Sequence, residues 1–353
     1  MAFVVFGLFF IINAVNSEST RIPITTESYN YTKEINSLNY TVDSRSNKQS
    51  VSESVCQILK WKYPPVTYII FGGSDANPGS YPHMGAVGWR SKNASEWVFK
   101  CGGSLINADY VLTAAHCSWL SLRSHYDVVQ NEPEVVRFGV ENIVDPESNE
   151  NGGPTDKIIK SIIKHPNYKP PKRYYDIALI ELRDKFTSFS EHLHPACLWT
   201  KPITFDYSEF KLSGWGLTEH GNPAHHLQFA KVDILDTKKC DSLLAGHRGR
   251  NWHGFMDHQL CAGNLSGKVD SCQGDSGGPL QKQIPMTSLY YIVGVTSFGI
   301  GCGKENRPGI YTKVYSFLDW IEQHVWKDFN KTDFLSSFIV FEDADDTAYY
   351  DQL

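Results

Sequence analysis

From about residue 70 to residue 326 the chain is written in short apolar, β-branched and aromatic runs, each closed by Gly, Pro or Asn. Seven stand out: Tyr110–Thr113, Val135–Val140, Lys157–Lys164, Ile177–Leu182, Phe229–Leu235, Tyr290–Ser297 and Gly309–Val314. Runs of that length between turn residues predict strands, and many of them in one stretch predict an all-β barrel or sandwich. Helical spacing is confined to the far end. There Leu318, Ile321 and Val325 share one face, behind a Ser316/Asp319 capping pattern. Hydrophobic residues make up 41% of the 353 positions, so a sizeable core is available.

Both ends differ in texture. Met1 to about Ser17 contains the apolar run 2–12. It is far shorter than the about 20 residues that span a bilayer, and it reads as a secretory signal peptide. The alternative is a buried N-terminal strand. Residues 18–55 hold eight Ser, five Thr and four Asn with no Cys. Such a stretch buries too little apolar surface to offset its ordering entropy, which predicts a disordered leader over 18–69. Sequons begin at Asn30, Asn39, Asn93, Asn264 and Asn330, expected sites of glycosylation. The net charge of −6 sits at the ends, because 56–326 carries 27 acids and 27 bases. A neutral body points away from nucleic acid, and no later segment is long enough to span a membrane. Residues 327–353 form an acidic tail with seven acids and two bases. Tyr349 and Tyr350 lie there in an acidic context that suits sulfation, against the simpler reading of a solvated terminus.

The chemistry concentrates in residues 270–279, where Gly274-Asp275-Ser276-Gly277-Gly278 matches G-x-S-x-G. Two unrelated hydrolase designs share that pattern. One needs an acid and then a His after the Ser. Only 77 residues follow Ser276, and the single His among them, His324, lies in the expected helix. The other order, His then Asp then Ser, is present upstream: His116 in Leu112-Thr-Ala-Ala-His-Cys117, and Asp176 in Asp176-Ile-Ala-Leu179. The eight cysteines form no C-x-x-C pair, which suits disulfides in an oxidising, extracellular compartment.

On these three motifs, residues 70–326 resemble a trypsin-type serine protease of the chymotrypsin fold. Tyr81-Pro-His-Met84, Gly88-Trp89 and Pro195-Ala-Cys-Leu198 are most similar to the arthropod clip-type, snake-like members. Residues 18–55 lack cysteine, so the cysteine-knotted clip module is expected to be missing. The resemblance implies two packed six-stranded antiparallel β-barrels with a C-terminal α-helix. It also implies a secreted zymogen that cleaves after Arg or Lys, with protein substrates, an upstream activating protease and a serpin-type inhibitor as partners. A catalytically silent homologue acting as a binding cofactor is the alternative.

Site roles follow from the same resemblance. His116 is the general base, Asp176 its orienting partner and Ser276 the nucleophile. The N–H groups of Gly274 and Ser276 form the oxyanion hole. Asp270, six residues before Ser276, is the base of the specificity pocket, with Ser271 beside it and Gly299 and Gly309 in the open walls. Phe298 replaces the Trp common in the family. Activation would cut between Ile69 and Ile70, and the new amine would pair with Asp275. The implied bridges are Cys101–Cys117, Cys240–Cys261, Cys272–Cys302 and Cys56–Cys197, the last tethering the leader. His220, His225 and His226 with Glu219, and Glu141, Glu147 and Glu150, are read as solvated loops, and no metal or cofactor is expected.

Overall fold

The computed structural model describes residues 50–63, 79–93, 96–144, 153–203, 209–216, 224–265, 275–300 and 305–329. Six strands close the first barrel: β1 (Met84–Arg90), β2 (Trp97–Leu105), β3 (Tyr110–Thr113), β4 (Val135–Phe138), β5 (Thr155–Lys164) and β6 (Ala178–Leu182). They run in the order β1-β2-β3-β6-β5-β4. The second barrel comprises β8 (Phe210–Gly214), β9 (Gln228–Leu235), β10 (Gln259–Gly263), β11 (Pro279–Gln283), β12 (Tyr290–Phe298) and β13 (Gly309–Lys313). Its order is β11-β8-β9-β10-β13-β12, closed by β11 pairing with β12. These two closed antiparallel barrels are the chymotrypsin-like architecture. A short β7 (Cys197–Leu198) adds one parallel pairing to β12. Among the described residues, closure leaves no open sheet edge in either barrel.

The seven sequence runs all fall on strands, with ends shifted by at most two residues. The strands without such runs carry Gly, Cys or Gln where branched residues would mark them, as in Gln259-Leu-Cys-Ala-Gly263. The first core gathers Trp89, Leu105, Leu112, Phe138, Ile177 and Leu179. The second gathers Phe210, Leu212, Leu260, Leu280, Val293 and Tyr311.

Two expectations are corrected here. Part of the leader expected to be disordered over 18–69 is a helix, α1 (Val51–Lys62). The Ser50 side chain accepts from the Glu53 N–H at 3.2 Å, and Lys60 and Lys62 stand in the last turn, where the helix dipole favours cations. Val55, Ile58 and Leu59 share its inner face and join the first core, each worth about 1.5–3 kcal/mol once buried. Cys56 is bridged to Cys197 on β7, Thr200 donates to Glu53 at 2.7 Å, and the Ser52 N–H donates to Glu322 at 2.9 Å. Ser50-x-x-Glu53 ahead of apolar 55, 58 and 59 was the overlooked signal, submerged in a polar stretch.

The second correction concerns the helix α3 (Leu318–Val325), which follows a second short helix, α2 (Thr237–Leu243). Leu318, Ile321 and Val325 are buried, but Ser316 does not cap it. A 3₁₀ turn, Val314–Phe317, feeds straight into α3, and Phe317 stands at the cap without a side-chain bond. Segments 1–49 and 64–78, with the signal peptide, Asn30, Asn39, Ile69 and Ile70, lie outside the described residues. So do Asp270, Ser271, Cys272, Gly274, Cys302, Asn330 and the rest of the tail. Among the described residues, no helix is long and apolar enough to cross a membrane.

Candidate active site

β3 ends at Thr113, and the chain turns through a 3₁₀ segment, Ala115–Ser118, that carries His116. Asp176 stands two residues before β6, the strand paired with β3 through Thr113 and Ala178. A separation of 60 residues in sequence thus becomes a contact beside one ladder. His116 Nδ1 lies 2.8 Å from Asp176 Oδ2, and the His116 main-chain N–H donates to Asp176 Oδ1 at 2.9 Å. A carboxylate only accepts, so Nδ1 carries the proton and Nε2 keeps a lone pair.

The second barrel completes the support. Ser297 Oγ, on β12, donates to Asp176 Oδ2 at 2.5 Å, and Thr312 Oγ1, on β13, donates to the Asp176 carbonyl at 2.8 Å. Asp176 is only 3% exposed, a burial tolerable because its carboxylate is satisfied. Burial alone would push this carboxyl up. The His116 charge and ring bond, then Ser297 and the His116 N–H, more than reverse that and hold it below its ordinary value. For His116, burial pulls the imidazole down. The Asp176 charge and hydrogen bond outweigh it, with the Arg173 charge opposing, and the net shift is upward. Such an imidazole can take a proton at Nε2 and hold the charge beside Asp176.

Ser276 reaches the same place by backbone packing. Its carbonyl accepts the Gly102 N–H at 2.8 Å, and the Gly277 N–H donates to Thr296 O at 2.8 Å. Gly277 has φ +77°, and a methyl there would lie 2.6 Å from Gly102 O and collide with Thr113 Oγ1. Cys117 Sγ lies 3.8 Å from His116 Nε2 and 3.5 Å from Ser276 O, so the imidazole and the Ser276 main chain meet across one sulfur.

Asp275 is cradled by residues that the sequence reading overlooked. Its Oδ1 accepts the Gly216 N–H at 2.9 Å, and any Cβ at Gly214 or Gly216 would collide with its carboxylate. The tripeptide Gly214-Trp215-Gly216 was the available signal. Ser297 and Thr312 carried none, since their role depends on Asp176 arriving from the other barrel. Gly309 is buried opposite Ala262, while Gly299 is exposed on a cleft.

Among the described residues three disulfides are formed, Cys56–Cys197, Cys101–Cys117 and Cys240–Cys261, with Cα–Cα distances of 5.0, 6.1 and 6.5 Å. Cys101, His116 and Cys117 place donor atoms within 4.8 Å of one another, but the disulfide consumes both sulfurs and leaves one imidazole. Glu141 Oε1 accepts the Gly79 N–H at 2.7 Å, which ties it to the body of the protein. His225 and His226 are exposed, and His220, Glu219, Glu147 and Glu150 lie outside the described residues. Asn93 and Asn264 are exposed.

Two closed β-barrels that meet over a His–Asp pair and a glycine-bound serine point to a class: serine hydrolases of the chymotrypsin-like fold. The trypsin family model matches residues 70–321, beginning at Ile70. The chain belongs to the trypsin family of serine proteases, and arthropod members are among its relatives. It is 36% identical over 268 residues to Serine protease snk of Drosophila melanogaster, covering 74% of this chain and 58% of that protein. It is 36% identical over 289 residues to Serine protease Hayan of the same species, covering 79% and 42%. Phenoloxidase-activating factor 3 of Holotrichia diomphalia is 38% identical over 268 residues, covering 72% of each chain. The match thus spans about half the length of the first two relatives.

Proposed function

We propose that this chain is a secreted serine endopeptidase zymogen that hydrolyses peptide bonds after Arg or Lys within an extracellular proteolytic cascade. The observation that carries the reading is the His116–Asp176 pair, bonded at 2.8 Å beside the Ser276 main chain. Ser276 Oγ attacks the scissile carbonyl as its proton passes to His116 Nε2. The imidazolium then protonates the leaving amine, and water repeats the sequence on the acyl-enzyme. The N–H groups of Gly274 and Ser276 stabilise the oxyanion, each worth about 10²–10³ in rate.

Asp270 sets the specificity. A buried carboxylate without a partner is costly, so its pocket selects a cationic side chain. Activation frees the amine of Ile70, whose ammonium group joins Asp275 in the cradle of Gly214 and Gly216. Because Ile69 precedes that bond, the activator prefers aliphatic or aromatic residues, and the mature enzyme activates its own zymogen poorly. Afterwards α1 remains attached through Cys56–Cys197 and through its own packed face. The name Phenoloxidase-activating factor 3 is that of a relative that activates another protein, which supports the cascade setting for this chain. A serpin-type inhibitor suits the same site.

The test is a positional peptide library on the activated enzyme, with Asp270→Ser alongside and N-terminal sequencing of the active form. Cleavage after Arg and Lys should vanish in the variant while reaction with a serine-directed phosphonate persists. Retained basic preference would refute the pocket, and a mature chain beginning elsewhere than Ile70 would refute the activation scheme.

A further inference from the structure

We propose that the cleft beside Phe298–Ile300 reads acidic side chains in the substrate segment preceding the scissile residue, with Arg173 and Arg250 as its specificity-determining residues. The proposal rests on the active-site reading above. The cleft holds about 400 Å³, and its lining includes Arg173, His247, Arg250, Trp252, Phe298 and Ile300. It begins where the catalytic support ends. Ser297 holds Asp176, and the next residues along the chain, Phe298 and Gly299, form the cleft wall. Gly299 is also assigned above to the wall of the pocket for the residue before the scissile bond. An extended peptide rising about 3.3 Å per residue would therefore lay its preceding two to four residues over this cleft.

The cleft is built to hold a cation still. The Arg173 guanidinium lies 4.4 Å from the centroid of Phe298, and Trp252 meets Phe298 edge-on at 5.8 Å. Arg173 is fixed at the main chain as well. Its N–H donates to Asn251 O at 3.0 Å, and its carbonyl accepts Gln259 Nε2 at 2.8 Å. A stacked, planar guanidinium loses little freedom when it binds a carboxylate in bidentate fashion.

Nearby Arg248 is paired with Asp241, but among the described residues neither Arg173 nor Arg250 has a carboxylate partner. With Arg173 stacked on Phe298 and Arg250 in the same lining, the cleft selects an anionic side chain. That requirement is distinct from the basic residue selected by Asp270, and together they describe a substrate with an acid upstream of the residue at the scissile bond.

The test uses the activated enzyme and peptides that differ only at the second, third and fourth residues before the scissile bond, as Asp, Ala or Lys. The scissile residue is whichever one the enzyme accepts, so failure of the Arg/Lys reading leaves this experiment intact. The acidic peptide should show about fivefold higher kcat/KM than the alanine peptide, carried by KM and weakened by salt, as for one partly screened ion pair. Arg173→Glu should reverse the order in favour of Lys, and Arg173→Lys should keep part of the acidic preference. Arg250→Glu provides the second reversal should the first variant fold poorly. Binding of the same peptides to Ser276→Ala, measured by fluorescence anisotropy, should give the same order without hydrolysis. Equal rates and equal binding for acidic and alanine peptides in the parent protein would overturn the proposal, as would a preference unchanged by both reversals.

Discussion

The two sides of the candidate active site are held by different means. On the His116 side the support is made of side chains: Asp176 receives the imidazole, the His116 N–H and the Ser297 hydroxyl, and the His116 pKa is displaced upward as a result. On the Ser276 side it is made of backbone: Gly102 N–H on Ser276 O, Gly277 at φ +77°, and Asp275 against Gly214 and Gly216. Side-chain support sets charge and proton affinity. Backbone support sets position and leaves no room for a methyl group. Substitutions on the first side should therefore change the chemistry of a folded enzyme, and those on the second should change its conformation.

Asp176→Asn gives the largest expected effect on this comparison. The fold should persist, kcat should fall by about 10⁴, and the acid limb of kcat/KM should move to lower pH. The sign follows from the parent protein: the Asp176 charge raises His116 against the lowering effect of burial, so its removal lets the imidazole give up its proton more readily. A pH–rate profile measures both, and an unmoved limb would break the assignment of side-chain support. Gly277→Ala should act the other way. A methyl at positive φ, 2.6 Å from Gly102 O, should cost about 3 kcal/mol of stability and most of the activity without a shift in the residual pH profile. Denaturant titration with the profile tests this, and a fully stable variant would show that the serine turn tolerates a side chain.

The smallest effect sharpens the contrast through acid. His83, His194 and His258 are lowered by burial to about 3, about 4 and about 4. The unfolded chain gains protons below about pH 6.5 while these folded histidines do not, so stability should fall from there toward pH 4, by about 2 kcal/mol per histidine at pH 5. His116, raised in the fold, contributes in the opposite sense and offsets part of the loss. His258 matters most to the site. Its Nε2 accepts the Tyr175 N–H at 3.2 Å, next to Asp176, and protonation removes that acceptor. His258→Gln should flatten the acid loss measured by urea titration at pH 7 and pH 5. An equally steep loss would mean that the His116 side does not respond to acid through His258.

What could be read from the sequence was local or order-based. The strands β3, β9 and β12 announce themselves by branched and aromatic runs, because an alternating or fully apolar run has few other ways to be buried. The motifs around His116, Asp176 and Ser276 are legible because residue identity and order survive without coordinates. The tertiary structure alone decided the partners. Ser297 and Thr312 look like ordinary strand residues until the second barrel carries them onto Asp176, and Gly214 and Gly216 look like loop glycines until Asp275 packs between them. Helix α1 shows the same limit from the other direction. Twelve residues with one capping signal are too short to be stable alone, and their helix exists because Val55, Ile58 and Leu59 find a core formed by residues far along the chain.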